Sequence, residues 1–218
     1  MVEENENQIL QLSAVECRVL GCLIEKEITT PDYYPLSLNS LTNACNQKSS
    51  RNPVVEYAES TVEAAAQSLQ SKRLVIEFRK GGKVAKFEQH IANVLPQLER
   101  AEYSVIAELL LRGPQTLGEL KGRASRMHPF NSLDEVSSTL QWLIEHDPPL
   151  ALKLPRQPGF KESRYFHCFA PEPPDPLPAP GGTEENDRFL KLETEIEDLK
   201  KELDALKQEF SEFKAQFE

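Results

Sequence analysis

The feature that most constrains this chain is that its first 170 residues run through one order of elements twice. Glu16, Val19, Leu20, Leu23 and Ile24 superpose on Glu102, Val105, Ile106, Leu109 and Leu110 at a constant offset of 86. Each half therefore opens with a helix carrying the same apolar stripe. A shorter helix follows, over Leu38, Leu41 and Ala44 after Pro35 and the candidate cap Ser37, and over Leu117 and Leu120 after the turn Gly113-Pro114. A third helix places Val62, Ala66 and Leu69 against Val136, Leu140 and Leu143 at an offset of 74. Ser13-x-x-Glu16, Ser60-x-x-Glu63, Thr116-x-x-Glu119 and Ser132-x-x-Glu135 have the form of capping boxes. The first half is longer, and its excess falls in segments 29–35 and 47–57, which read as loops.

After each third helix the spacing changes to that of paired strands. Leu74, Val75, Ile76 and Phe78 lead through Arg79-Lys80-Gly81-Gly82 into Val84, Ala85 and Phe87, with glycines where a tight turn needs backbone freedom. In the second half, segment 150–154 pairs with segment 165–169 across a longer loop. Three helices and a hairpin are the order of a winged helix, in which the strands form the wing. The predicted fold is thus mainly α with small β-hairpins (α+β). It comprises two tandem winged-helix domains, at 10–90 and 91–170, and a C-terminal coiled-coil helix.

Residues 171–187 read as a proline- and glycine-rich linker, and residues 188–218 as the coiled coil. Phe189, Ile196, Leu203, Phe210 and Phe217 occupy one heptad position and Leu192, Leu199, Leu206 and Phe213 the other, which makes them the expected dimer seam. Glu195, Glu202 and Glu209 then face Lys200, Lys207 and Lys214 in a parallel pair, whereas antiparallel pairing sets like charges together. An amphipathic helix packed on its own domain is the competing reading, because phenylalanines suit a dimer seam less well than Ile or Val.

The formal net charge of -10 argues against nucleic acid only if it is evenly spread. It is not: residues 171–218 hold 14 acids and 6 bases, and the remainder 21 acids and 19 bases, giving -8 and -2. Local basic clusters in a near-neutral body act over a Debye length of about 8–10 Å. The four cysteines, at positions 17, 22, 45 and 168, lack metal-ligand spacing, so reduced thiols and a cytoplasmic location are expected. No basic segment leads into an apolar run at the N-terminus, and no eighteen apolar residues run together, so no membrane partner is expected. His90, His128, His146 and His167 are scattered, and no nucleophile elbow, phosphate loop or HExxH stands in the sequence. Neither an enzyme nor a cofactor or metal site is expected.

A winged helix that grips DNA sets its third helix in the major groove and its wing on backbone or minor groove. Residues 72–86 hold six bases against the single acid Glu77, a charge suited to phosphate. The candidate DNA contacts are Lys48 and Arg51 in the second loop, Thr61, Gln67 and Ser68 on the third helix, and Arg79, Lys80, Lys83 and Lys86 on the wing. Each has a structural counterpart: Lys-rich hairpins also guard sheet edges, and Arg51 with its asparagine neighbours can pin an irregular loop. Glu56, Glu59 and Glu63 near the third helix oppose phosphate. Lys121, Arg123, Arg126, Lys153, Arg156, Lys161 and Arg164 form a weaker basic set in the second half.

Three strings go beyond architecture: residues 12–26 (LSAVECRVLGCLIEK), 34–41 (YPLSLNSL) and 44–54 (ACNQKSSRNPV). Through them the chain resembles the YceH family of uncharacterised bacterial proteins over residues 10–170. The resemblance implies a tandem winged-helix fold and brings no activity, catalytic residue or cofactor; the heptad tail lies outside it. The expected function is a non-enzymatic DNA-binding or regulatory factor acting as a homodimer. The alternative is a scaffold whose winged helices bind protein.

Overall fold

The computed structural model describes residues 10–79, 84–156 and 159–170. The linker from residue 171 and the whole heptad seam lie outside these residues, as do Lys80 and Lys83. What is described is a mixed α+β structure with two small antiparallel sheets.

The first half runs α1 (Ala14–Thr29), β1 (Leu36–Ser37), α2 (Leu38–Cys45), α3 (Glu59–Ser71), β2 (Val75–Phe78) and β3 (Lys86–Gln89). The second runs α4 (Arg100–Arg112), α5 (Leu117–Ala124), α6 (Leu133–Glu145), β4 (Ala151–Lys153) and β5 (Tyr165–His167). The expected helices and both hairpins are in place. β1 is an addition that the sequence does not announce, since two residues are too few for an alternating pattern. It pairs with β3, Leu36 opposite Phe87, so the first sheet has the order β1-β3-β2. The second half repeats this with a single bridge in which Gln115 and Tyr165 exchange backbone hydrogen bonds of 3.0 and 2.7 Å.

Local chemistry fixes most helix starts. Ser13 and Glu16 close a reciprocal capping box at α1, and Thr116 and Glu119 do so at α5. Ser37 and Ser132 accept from the backbone N–H groups of Ser40 and Glu135. The carboxylate of Glu135 turns away from Ser132 and accepts from the N–H of Asn131 at 2.7 Å, so that box is half formed. The box expected at Ser60 and Glu63 does not form. α3 begins earlier, at Glu59, with Ala58 as a cap that makes no side-chain hydrogen bond. The reason lies upstream: the Asn46 side chain accepts from the N–H of Tyr57 at 2.8 Å and donates to its carbonyl at 2.9 Å. This clasp closes loop 47–56 and delivers the chain to α3 before Ser60 is reached.

Burial then departs from the expected stripes. Every residue from Glu16 to Glu25 on α1, and from Ser104 to Leu111 on α4, is buried. A helix hidden all round is one enclosed by neighbours on every side. α1 is covered by its own half on one flank and by α4 on the other, and at Gly21 the helices leave little room for a side chain. A Cβ there would stand 3.0 Å from side-chain atoms of Leu110 and Leu111. The apolar core is continuous across the junction of the repeats, from Leu12 through Ile91, Leu95 and Leu98 to Phe169. The two patterns legible as domains 10–90 and 91–170 therefore share one core.

Candidate nucleic-acid interface

The outer surface of α3 follows from what its inner surface buries. Val62, Ala65, Ala66 and Leu69 are buried, and the helical period then leaves Thr61, Gln67 and Ser68 exposed. Glu59 and Glu63 are exposed on the same helix, and Glu56 just before it. On the hairpin, Lys86 stands opposite Phe78, and both are exposed on the face away from buried Val75 and Phe87. Arg79 is exposed but spends its charge partly on Glu77, at 2.9 Å. Lys48 is exposed and makes no ion pair among the described residues. Lys72, counted in sequence with the basic cluster, points inward instead: its ammonium donates to Glu16 at 2.6 Å and to the carbonyl of Gln11 at 2.9 Å. That pair reaches Glu16 well inside the fold. Burial works against its ionisation, but the hydrogen bonds from Lys72 and the Ser13 N–H hold the carboxyl down at about 2.

Arg51 is a correction. Its side chain is fully buried and makes a two-pronged contact with buried Glu25, at 3.1 and 2.6 Å. It also donates to the carbonyls of Ala44 and Ser50. A guanidinium so enclosed is unavailable to phosphate. The loop that carries it is a joint: Asn52 donates its backbone N–H to the carbonyl of Leu111 at 3.0 Å, binding the loop to the end of α4. Arg18 holds the loop from the other side, donating to the carbonyls of Cys45 and Pro53.

Glu25 is the centre of a charge cluster that unites the repeats. Arg126, after α5, contacts Glu25 and also Glu108 of α4, the latter at 3.1 Å, and Arg112 stands 3.1 Å from Glu108. Burial opposes the charge on Glu25, but hydrogen bonds and attraction to Arg51, reinforced by Arg126, hold its carboxyl below the ordinary range. The same pairing holds Arg51 protonated against its own desolvation. The sequence carried part of this signal, since Glu108 interrupts the apolar run of residues 105–111, whereas Glu25 only closes the run of residues 19–24 and is followed by Lys26 and Glu27.

The second half offers phosphate less. Arg123 and Arg164 both pair with Glu119, at 3.3 and 2.7 Å, and Arg126 is committed to the cluster. Lys153, Arg156 and Lys161 are exposed, and Ser137, Ser138 and Gln141 lie outward on α6. No group of three or more His, Cys, Asp or Glu that could hold a metal ion occurs among the described residues. No helix among them is long and apolar enough to cross a membrane.

Comparison with known proteins places the chain in a class defined by sequence rather than by activity. Residues 12–160 match the family described as "Protein of unknown function, DUF480", and the chain belongs to that family. It is 49% identical over 216 residues to a UPF0502 protein of Geobacter sulfurreducens, covering 95% of this chain and 98% of that one. It is 50% identical over 197 residues to a UPF0502 protein of Koribacter versatilis, covering 87% and 91%. A UPF0502 protein of Geotalea uraniireducens is 49% identical over 218 residues, covering 96% and 99%.

Proposed function

We propose that this chain is a tandem winged-helix protein, without catalytic activity, that binds DNA through α3 and the first hairpin and acts as a homodimer in regulation. The observation that carries the reading is the polar outer surface of α3, Thr61, Gln67 and Ser68, followed by a hairpin with Arg79 and Lys86 exposed; Lys80 and Lys83 stand between them in the sequence. In a winged helix these are the parts that enter the groove and steady the backbone. The β1-β3-β2 order supports the winged-helix reading of the first half, and the Gln115–Tyr165 bridge that of the second. Dimerisation through the heptads couples two modest phosphate-binding surfaces, and avidity compensates for the weakness of each.

The reading is tested by fluorescence anisotropy of a labelled random duplex with the full chain, at 50 and at 200 mM salt (a loss of affinity of about 10- to 40-fold for two to three phosphate contacts). A further loss in Lys80→Glu/Lys83→Glu/Lys86→Glu is expected. Absence of binding at the lower salt rejects DNA as the partner. Light scattering of the chain ended after Ala170 tests the dimer: half the mass of the full-length species is expected, beyond the loss of the tail itself.

A second reading has its own support. Exposed Glu56, Glu59 and Glu63 stand at the entrance of α3, and Arg126 and Arg164 are neutralised internally. Both favour a scaffold whose winged helices bind protein.

A further inference from the structure

One concave surface, away from α3 and its hairpin, has the opposite chemistry. Val94 and Pro96, on the connection between the repeats, face Trp142, Glu145, His146 and Asp147, at the end of α6, across a groove of about 680 Å³. That volume lies within the roughly 300–1,000 Å³ of ligand-binding clefts. Trp142 is the only tryptophan of the chain. The buried positions of α6 are Val136, Thr139, Leu140 and Leu143, so Trp142 stands off the core-facing stripe and leaves 36% of its surface in solvent. Val94, across the groove, is 39% exposed.

An indole held at a cleft wall, beside a second apolar residue, is the composition of a contact hot spot. Its charge selects the occupant. Glu145 and Asp147 are exposed, and no lysine or arginine lines the groove. Glu145 accepts from Gln141 at 2.6 Å, which leaves its second oxygen for another donor. His146 is turned back on its own chain, with Nδ1 2.8 Å from the carbonyl of Pro148, and its ring lies 5.2 Å from that of Trp142. The electron-rich face of an indole attracts a cation, most often arginine, and carboxylates bind guanidinium through paired hydrogen bonds. Phosphate is repelled by the same two acids.

We propose that this groove docks an arginine-bearing segment of a partner protein, with a guanidinium across Trp142 and its donors directed to Glu145 and Asp147. The site is independent of DNA binding, since it shares no residue with the α3 and hairpin surface.

The single tryptophan makes the site its own reporter. The full chain is titrated with an N-acetylated tetra-arginine amide and followed by intrinsic fluorescence. A saturable change is expected, with half-saturation rising about tenfold in Glu145→Gln/Asp147→Asn. Both substituted residues are exposed, and circular dichroism confirms that the variant is folded. Peptide bound elsewhere, as on the acidic tail, is common to both proteins and cancels in the comparison. Three results each overturn the proposal: no saturable change, equal half-saturation in the two proteins, or an equal response to a tetraproline amide. The last would assign the groove to a proline-rich segment instead.

Discussion

Replacing Arg51 with methionine removes the cation that compensates Glu25 most fully. Both side chains are completely buried, and Arg51 supplies Glu25 with two hydrogen bonds while satisfying the carbonyls of Ala44 and Ser50. Breaking one partner out of a buried ion pair costs about 3–5 kcal/mol, because the other charge is left without compensation. Arg126 remains beside Glu25, with Lys26 at 3.7 Å, which places the expected loss near the lower end, about 3 kcal/mol. With a urea dependence of about 2 kcal/mol per molar, the unfolding midpoint falls by about 1.5 M. The transition is followed by far-ultraviolet circular dichroism and by the fluorescence of Trp142. Arg51 lies in the first repeat and Trp142 in the second, so a shared core requires both probes to move together. Glu25→Met/Arg51→Met removes both charges and recovers most of the loss. A midpoint shift below about 0.3 M would mean that Glu25 does not depend on Arg51, and a shift in one probe without the other that the repeats do not unfold together.

Two further outcomes follow from the same packing. Burial draws the His167 imidazole down to about 3, so the fold keeps it neutral while the unfolded chain takes up a proton below about 6.5. Its contribution is complete above that pH and drains away at up to about 1.4 kcal/mol per unit as the pH falls toward 3; urea midpoints between pH 7 and 4.5 should decline less in His167→Leu. At Gly21 a valine meets Leu110 and Leu111 and costs about 1–3 kcal/mol, whereas at Gly122, where nothing stands within 4 Å, alanine adds up to about 1 kcal/mol of helix stability. Thermal unfolding of Gly21→Val and Gly122→Ala should therefore shift in opposite directions, and a shift in the same direction contradicts the close approach of α1 and α4.

Periodicity revealed the helices because each repeat buries a stripe: the matches of Val62 with Val136 and Leu69 with Leu143 pair residues that are all buried. It could not reveal that α1 and α4 are enclosed on every side, because enclosure depends on a neighbour distant in sequence. β1 escaped for want of length. Ser60 misled because a capping motif competes with whatever delivers the chain to the helix, here the Asn46 clasp on Tyr57. In the candidate site, composition identified the cations of the hairpin and the second loop but not their partners. Arg51 and Lys72 look alike with Lys48 and Lys86 in sequence; only the positions of Glu25 and Glu16 separate those that hold the fold from those that face water. Glu108, set within an apolar run, was the legible sign of an internal charge cluster, while Glu25, followed by Lys26 and Glu27, gave no such sign.

The proposed DNA surface is tested most directly by site-specific photo-crosslinking of the full chain to a labelled duplex. A photoreactive amino acid is placed in turn at the positions of Thr61, Ser68, Lys86 and Trp142. DNA adducts are expected from the first three positions, lost at high salt, and none from the acidic groove at Trp142. Adducts from Trp142 alone, or from none of the four, would contradict that surface.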